Sequence, residues 1–176
     1  SSVQGSRQLY VGGEFGAVAG GATSANIAAW DGHAWSSVGT PVIDGEVLAI
    51  DTIDLANGPR LLVSGLFWLD LPGVPTIARL NNSTWGAIPA GPEAPNTWVG
   101  FIRQVPSAGG PTLWASGGFT DYVAAWNGTT WTVPGGGLTS TIHDSVAFDD
   151  GTGERLHFTG TFTGQSNESI RMLASW

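Results

Sequence analysis

Side chains able to do chemistry are few and scattered in this chain. Three histidines stand at His33, His143 and His157, there is no cysteine, and all six basic residues are arginine. Without cysteine there is no disulfide, no thiolate metal ligand and no cysteine nucleophile. A facial metal site needs converging ligands, yet the histidines fall in a hairpin, a connecting loop and a strand. No Gly-x-Ser-x-Gly elbow offers a serine nucleophile. His143-Asp144 opens an apolar strand and is the polar pair expected to face the inside of the fold. The acidic turn Asp149-Asp150-Gly-Thr-Gly-Glu154 has oxygen ligands suited to a hard cation. It lacks EF-hand spacing and reads better as a solvated hairpin. No catalytic residues, no metal and no cofactor are expected, and the chain reads as not an enzyme.

Binding chemistry is better represented. Trp68 follows a strand end in Trp68-Leu-Asp-Leu-Pro72 and has no counterpart elsewhere in the chain. An aromatic ring on a loop can stack on a sugar or anchor a protein partner; packing over a sheet edge is the structural alternative. Trp68 and Tyr122 would supply aromatic area, with Asp70 and His143 setting polar specificity. Asn-x-Ser/Thr sequons at Asn81, Asn82, Asn127 and Asn167 are candidate glycosylation sites.

The elements that position these residues follow from composition and repetition. Apolar residues make up 41% of the 176 residues and charged residues only 11%, with 27 glycines and 9 tryptophans. A packed core is therefore within reach, and no segment carries a strong helical period. Many short strands joined by tight turns are expected, an all-β chain.

Four segments share one pattern: Leu9-Tyr-Val-Gly-Gly-Glu-Phe15, Leu61-Leu-Val-Ser-Gly-Leu-Phe67, Leu113-Trp-Ala-Ser-Gly-Gly-Phe119 and Leu156-His-Phe-Thr-Gly-Thr-Phe162. Their leading leucines are spaced by 52, 52 and 43 residues. A second pattern follows each: Ile27-Ala-Ala-Trp30, Ile77-Ala-Arg-Leu80, Val123-Ala-Ala-Trp126 and Leu173-Ala-Ser-Trp176. A turn and a further Trp35, Trp85 or Trp131 come next in three copies. One repeat thus predicts four short antiparallel strands, A to D, placed in the second copy at 46–53, 60–67, 76–80 and 84–88. The glycine in the fifth place of the first pattern predicts close packing between neighbouring sheets. Phe15, Phe67, Phe119 and Phe162 are expected at equivalent buried positions. A single such sheet cannot bury both faces, so copies must stack.

The glycines followed by spaced tryptophans resemble kelch-type repeats. Leu-Val-Ser-Gly-Leu-Phe with Ile-Ala-Arg-Leu-Asn is similar to short secreted propeller repeats of bacterial surface proteins and to fungal cortical-marker propellers. The resemblance implies a β-propeller of roughly three to four four-stranded blades, incomplete or part of a larger one. Its segments would be a partial blade over 1–45, blades over 46–97 and 98–141, and a partial blade over 142–176. The turns before Trp35, Trp85 and Trp131 also resemble the Asp-box of sialidases, but Gly follows Asp31 directly and the match fails.

A formal charge of −8 disfavours nucleic acid, whose phosphates require clustered positive charge. No apolar run is long enough to span a bilayer. The expected function is a non-catalytic interaction scaffold, extracellular or at the cell surface, binding protein or glycan through loops of a propeller rim. The alternatives are a structural subunit of a larger assembly, with neighbouring chains completing the propeller, and a glycan-active propeller enzyme.

Overall fold

The computed structural model describes residues 8–20, 24–54, 58–69, 77–88, 98–105, 112–149, 151, 154–162 and 174–175. Every element longer than one turn is a β-strand, arranged in four antiparallel sheets. The first sheet contains β1 (Leu9–Gly12), β2 (Ile27–Trp30) and β3 (Trp35–Ser37). The second contains β4 (Asp44–Asp54), β5 (Pro59–Trp68), β6 (Ile77–Asn81) and β7 (Thr84–Ala87). The third contains β8 (Val99–Val105), β9 (Thr112–Gly117), β10 (Val123–Trp126) and β11 (Trp131–Thr132). The fourth contains β12 (Ile142–Asp149), β13 (Glu154–Gly160) and β14 (Ala174–Ser175). Within each sheet, strands adjacent in sequence are paired.

Turn chemistry explains the hairpins between the third and fourth strands of a repeat. Gly32, Asn82 and Gly128 occupy one position and hold φ of 101°, 57° and 103°, a region open to glycine and tolerated by asparagine. One residue earlier, the Oδ1 atoms of Asp31 and Asn127 each accept two backbone N–H bonds, at 2.8–3.0 Å. A short polar side chain thereby closes the turn that the strands need.

The core is divided into three layers, one at each junction between successive sheets. Ile27 of the first sheet packs with Val47, Val63, Phe67 and Trp85 of the second. Ile53, Leu62 and Ile77 meet Val99, Leu113, Ala115 and Trp126 of the third. Phe101, Trp114 and Val123 meet Ile142, Phe158 and Phe162 of the fourth. Period-two alternation along each strand sends one set of side chains forward and the other back, so the middle sheets bury both faces. The leading strands β4, β8 and β12 also lie side by side. Arg103 on β8 reaches Asp51 on β4 at 4.0 Å and Asp144 on β12 at 3.9 Å.

The fifth-place glycine does a different job from the one expected of it. In three sheets the first two strands slip register at one bulge, at Leu48, Gly100 and His143. Gly65, Gly117 and Gly160 sit opposite those bulges. A Cβ on them would overlap the carbonyl oxygens of Glu46, Trp98 and Thr141, which are themselves repeat-equivalent. The constraint lies inside each sheet, where a bulge tilts a carbonyl inward. Close packing between sheets falls one place earlier, at Gly12, Ser64 and Ser116. A Cβ on Gly12 would press on the Val47 side chain of the next sheet, and both serines are buried.

The four phenylalanines also divide. Phe67 and Phe162 are buried, whereas Phe15 and Phe119 are half-buried.

Candidate functional site

Alternation at the end of β5 sets up a concavity. Phe67 is 1% exposed and locks the strand into the core, so Leu66 and Trp68 on either side turn outward, at 46% and 54% exposed. The chain then dips back in at Leu69, which is buried. Trp68 stands opposite Asp44 at the open end of the β4–β5 ladder. Together with Ala25, Pro41, Val42, Ile43 and Leu69 they line a cleft of about 490 Å³. Its floor is the buried pair Ile43 and Leu69, and its rim is the exposed pair Val42 and Trp68.

Asn26 holds the two walls together. It adopts φ 65°, and its Nδ2 donates to the Ile43 carbonyl at 2.9 Å while its Oδ1 accepts from Phe15 N–H at 3.0 Å. The loop after β1 is thus tied to the segment that enters β4. The same segment is anchored on its far side, where Thr40 N–H donates to the Ser83 carbonyl and Trp85 N–H to the Thr40 carbonyl. Trp85 Nε1 adds a bond to the Val38 carbonyl at 2.9 Å. The cleft is therefore a feature of fixed backbone rather than of side-chain position alone.

Chemically, the cleft offers an aromatic face, an aliphatic floor and one carboxylate. A flat ring or an apolar side chain can lie against the Trp68 indole, with Asp44 accepting a hydrogen bond from a hydroxyl or amide. Among the described residues, Asp44 is the one ionisable residue lining it.

The residues singled out from sequence separate into distinct places. Trp68 belongs to the cleft; Asp70 lies outside the described residues. Tyr122 and His143 belong instead to the junction of the third and fourth sheets. Tyr122 is held at φ 57°, and its carbonyl accepts from Ser116 Oγ at 2.6 Å, while Ser116 Oγ accepts from Ile142 N–H at 2.9 Å. His143 follows directly as the exposed bulge residue of β12. Of the acidic turn, Asp149 and Glu154 pair across the end of β12 and β13, and Asp150 lies outside the described residues. Among the described residues, no group of three or more His, Asp or Glu side chains is placed to hold a metal ion.

Among the sequon asparagines, Asn82 and Asn127 are exposed on hairpin turns, Asn81 is half-buried, and Asn167 lies outside the described residues. Among the described residues, the ion pairs fall on Arg103. Arg60 donates to the Pro59 carbonyl, and Arg79 Nε is buried without a partner.

Asn26, Val42 and Asp44 were not legible as site residues. Their role depends on a positive φ and on contacts across two sheets, neither of which leaves a local sequence signal. Comparison with known protein families, with curated proteins and with solved structures finds no match. The reading of the site therefore rests on its geometry. Among the described residues, no helix is long and apolar enough to cross a membrane.

Proposed function

We propose that this chain is an arc of a β-propeller built from kelch-like repeats, acting as a non-catalytic scaffold, extracellular or at the cell surface, that binds protein or glycan at its loops. Three features support the propeller: four-stranded units of about the right length, stacking of successive sheets face to face, and leading strands that run side by side. Net charge of −8 favours a neutral or cationic ligand over nucleic acid. The observation that carries the function is the Trp68 cleft. An exposed indole over an aliphatic floor, on backbone braced from both sides, is a preorganised surface for a ring or side chain.

The test is a glycan array and a peptide library probed with the wild-type chain and with Trp68→Ala. Binding that disappears in the variant supports the reading. Ligands bound equally well by both proteins would refute the cleft as the site.

A further inference from the structure

We propose that the turn Asn127-Gly128 is a self-modification site, at which the Asn127 side-chain amide is converted to a carboxylate with no reagent but water. Asn127 stands exposed at the tip of the β10–β11 hairpin, and Gly128 follows it with φ 103°. Glycine sets no β-carbon beside its own nitrogen, and nothing lies within 4 Å of where one would stand. Among the described residues, neither Asn127 Nδ2 nor the Gly128 N–H has a hydrogen-bond partner. The group that must leave and the nitrogen that must attack are both free.

Asn127 Oδ1 is the opposite case. It accepts from the Thr129 and Thr130 N–H groups at 3.0 and 2.9 Å and from the Thr129 hydroxyl at 2.9 Å. When the Gly128 nitrogen gives up its proton to solvent and attacks Cγ, Oδ1 takes up negative charge. The donors that charge needs are already aimed at it, and such preorganisation lowers the barrier to a tetrahedral intermediate. The bond from Cγ to the Gly128 nitrogen forms, the bond from Cγ to Nδ2 breaks, and ammonia departs with a proton returned from water. A cyclic imide remains. Water that adds at Cγ reopens it to aspartate; water that adds at the main-chain carbonyl reopens it to isoaspartate.

The fold already contains a template for the first product. Asp31-Gly32 occupies the same turn of the first sheet, with Gly32 at φ 101° and Asp31 Oδ1 accepting from the His33 and Ala34 N–H groups at 2.8 Å. Aspartate at 127 therefore keeps both bonds. Isoaspartate moves a methylene from the side chain into the main chain and draws the acceptor away from them. The β10–β11 ladder is only two residue pairs long, and one pair is Trp126 and Trp131, whose rings stack at 6.2 Å. Trp126 is buried in the layer between the second and third sheets. One product is thus silent and the other loosens that layer. Asn26 lacks the arrangement, since its Nδ2 donates to the Ile43 carbonyl and a β-branched residue, Ile27, follows it.

The test uses the chain made in bacteria, with no glycan on Asn127, and held in mildly alkaline buffer. Peptide mapping that separates aspartate from isoaspartate reads Asn127 apart from the second such dipeptide, Asn57-Gly58. Asn127 should convert at least as fast in the folded chain as in the same chain unfolded by urea, while Asn26 stays intact. Gly128→Asn places there the residue that Asn82 supplies at the equivalent turn position; it should keep the hairpin and slow conversion severalfold. Asn127→Asp should melt like wild type near neutral pH, and the separated isoaspartate form should melt lower. Slower conversion in the folded chain than in urea, undiminished conversion in Gly128→Asn, or an isoaspartate form as stable as the aspartate form would overturn the proposal.

Discussion

The carbonyl oxygen of Glu46 points at the α-carbon of Gly65 so closely that no side chain fits between them. The same relation recurs between Trp98 and Gly117 and between Thr141 and Gly160. Because the obstacle is backbone, it cannot swing aside as a side chain would. Gly65→Ala or Gly117→Ala should cost about 1–3 kcal/mol, the usual range for forcing extra volume into a packed site. Gly16→Ala, where a Cβ would meet nothing within 4 Å, is the control and should leave the melting temperature unchanged. Equal effects at Gly16 and Gly65 would show that the bulge does not set the constraint.

Truncating the equivalent phenylalanines should give unequal losses. Phe67 is 1% exposed within the layer between the first two sheets, so Phe67→Ala should cost about 3–5 kcal/mol. Phe119 is half-buried and packs only against the margin of its layer, so Phe119→Ala should cost about half as much. Chemical denaturation of the two variants checks the ranking. The reverse order would mean that the register relating them is wrong.

Much of the architecture was legible because repetition exposes it. The strands placed at 46–53, 60–67, 76–80 and 84–88 emerge at Asp44–Asp54, Pro59–Trp68, Ile77–Asn81 and Thr84–Ala87, and the all-β content follows from turn residues and alternation. The fifth-place glycines were visible as a pattern but not in their cause, since a bulge is a relation between strands. Trp68 stood out by having no counterpart among the repeats, and it does line a cleft. Tyr122 and His143 looked equivalent to it as loop residues, yet they sit at a different junction, because which loops converge depends on sheet stacking. Arg103 drew no notice in the sequence, although it touches both neighbouring leading strands.

Trp68 should be dispensable for folding. Its ring is 54% exposed, and its neighbours Phe67 and Leu69 supply the burial that fixes this end of β5. Trp68→Ala should change stability by less than about 0.5 kcal/mol, as surface substitutions usually do. Ile43→Ala, in the floor of the cleft at 1% exposed, should cost about 2–5 kcal/mol. Thermal melts of the pair separate a ligand-facing residue from a supporting one; a large loss at Trp68 would assign it to packing.

The last prediction concerns acid. The N–H groups of Ala34 and His33 both donate to the Asp31 carboxylate, and they hold its pKa below the ordinary value of 3.8. Folding thus favours the ionised form, so the unfolded chain binds the proton more readily. The stabilisation is fully present above the ordinary value and fades as pH falls through the lowered one. Asn127 makes the same two backbone bonds in the third sheet without a titrating group, which shows that an amide can serve this turn. Asp31→Asn should therefore match wild type near neutral pH and lose less stability than wild type as pH falls below the ordinary carboxylate value of 3.8. Parallel denaturation curves below that value measure the difference. Identical acid sensitivity in the two proteins would show that the turn carboxylate is not coupled to folding.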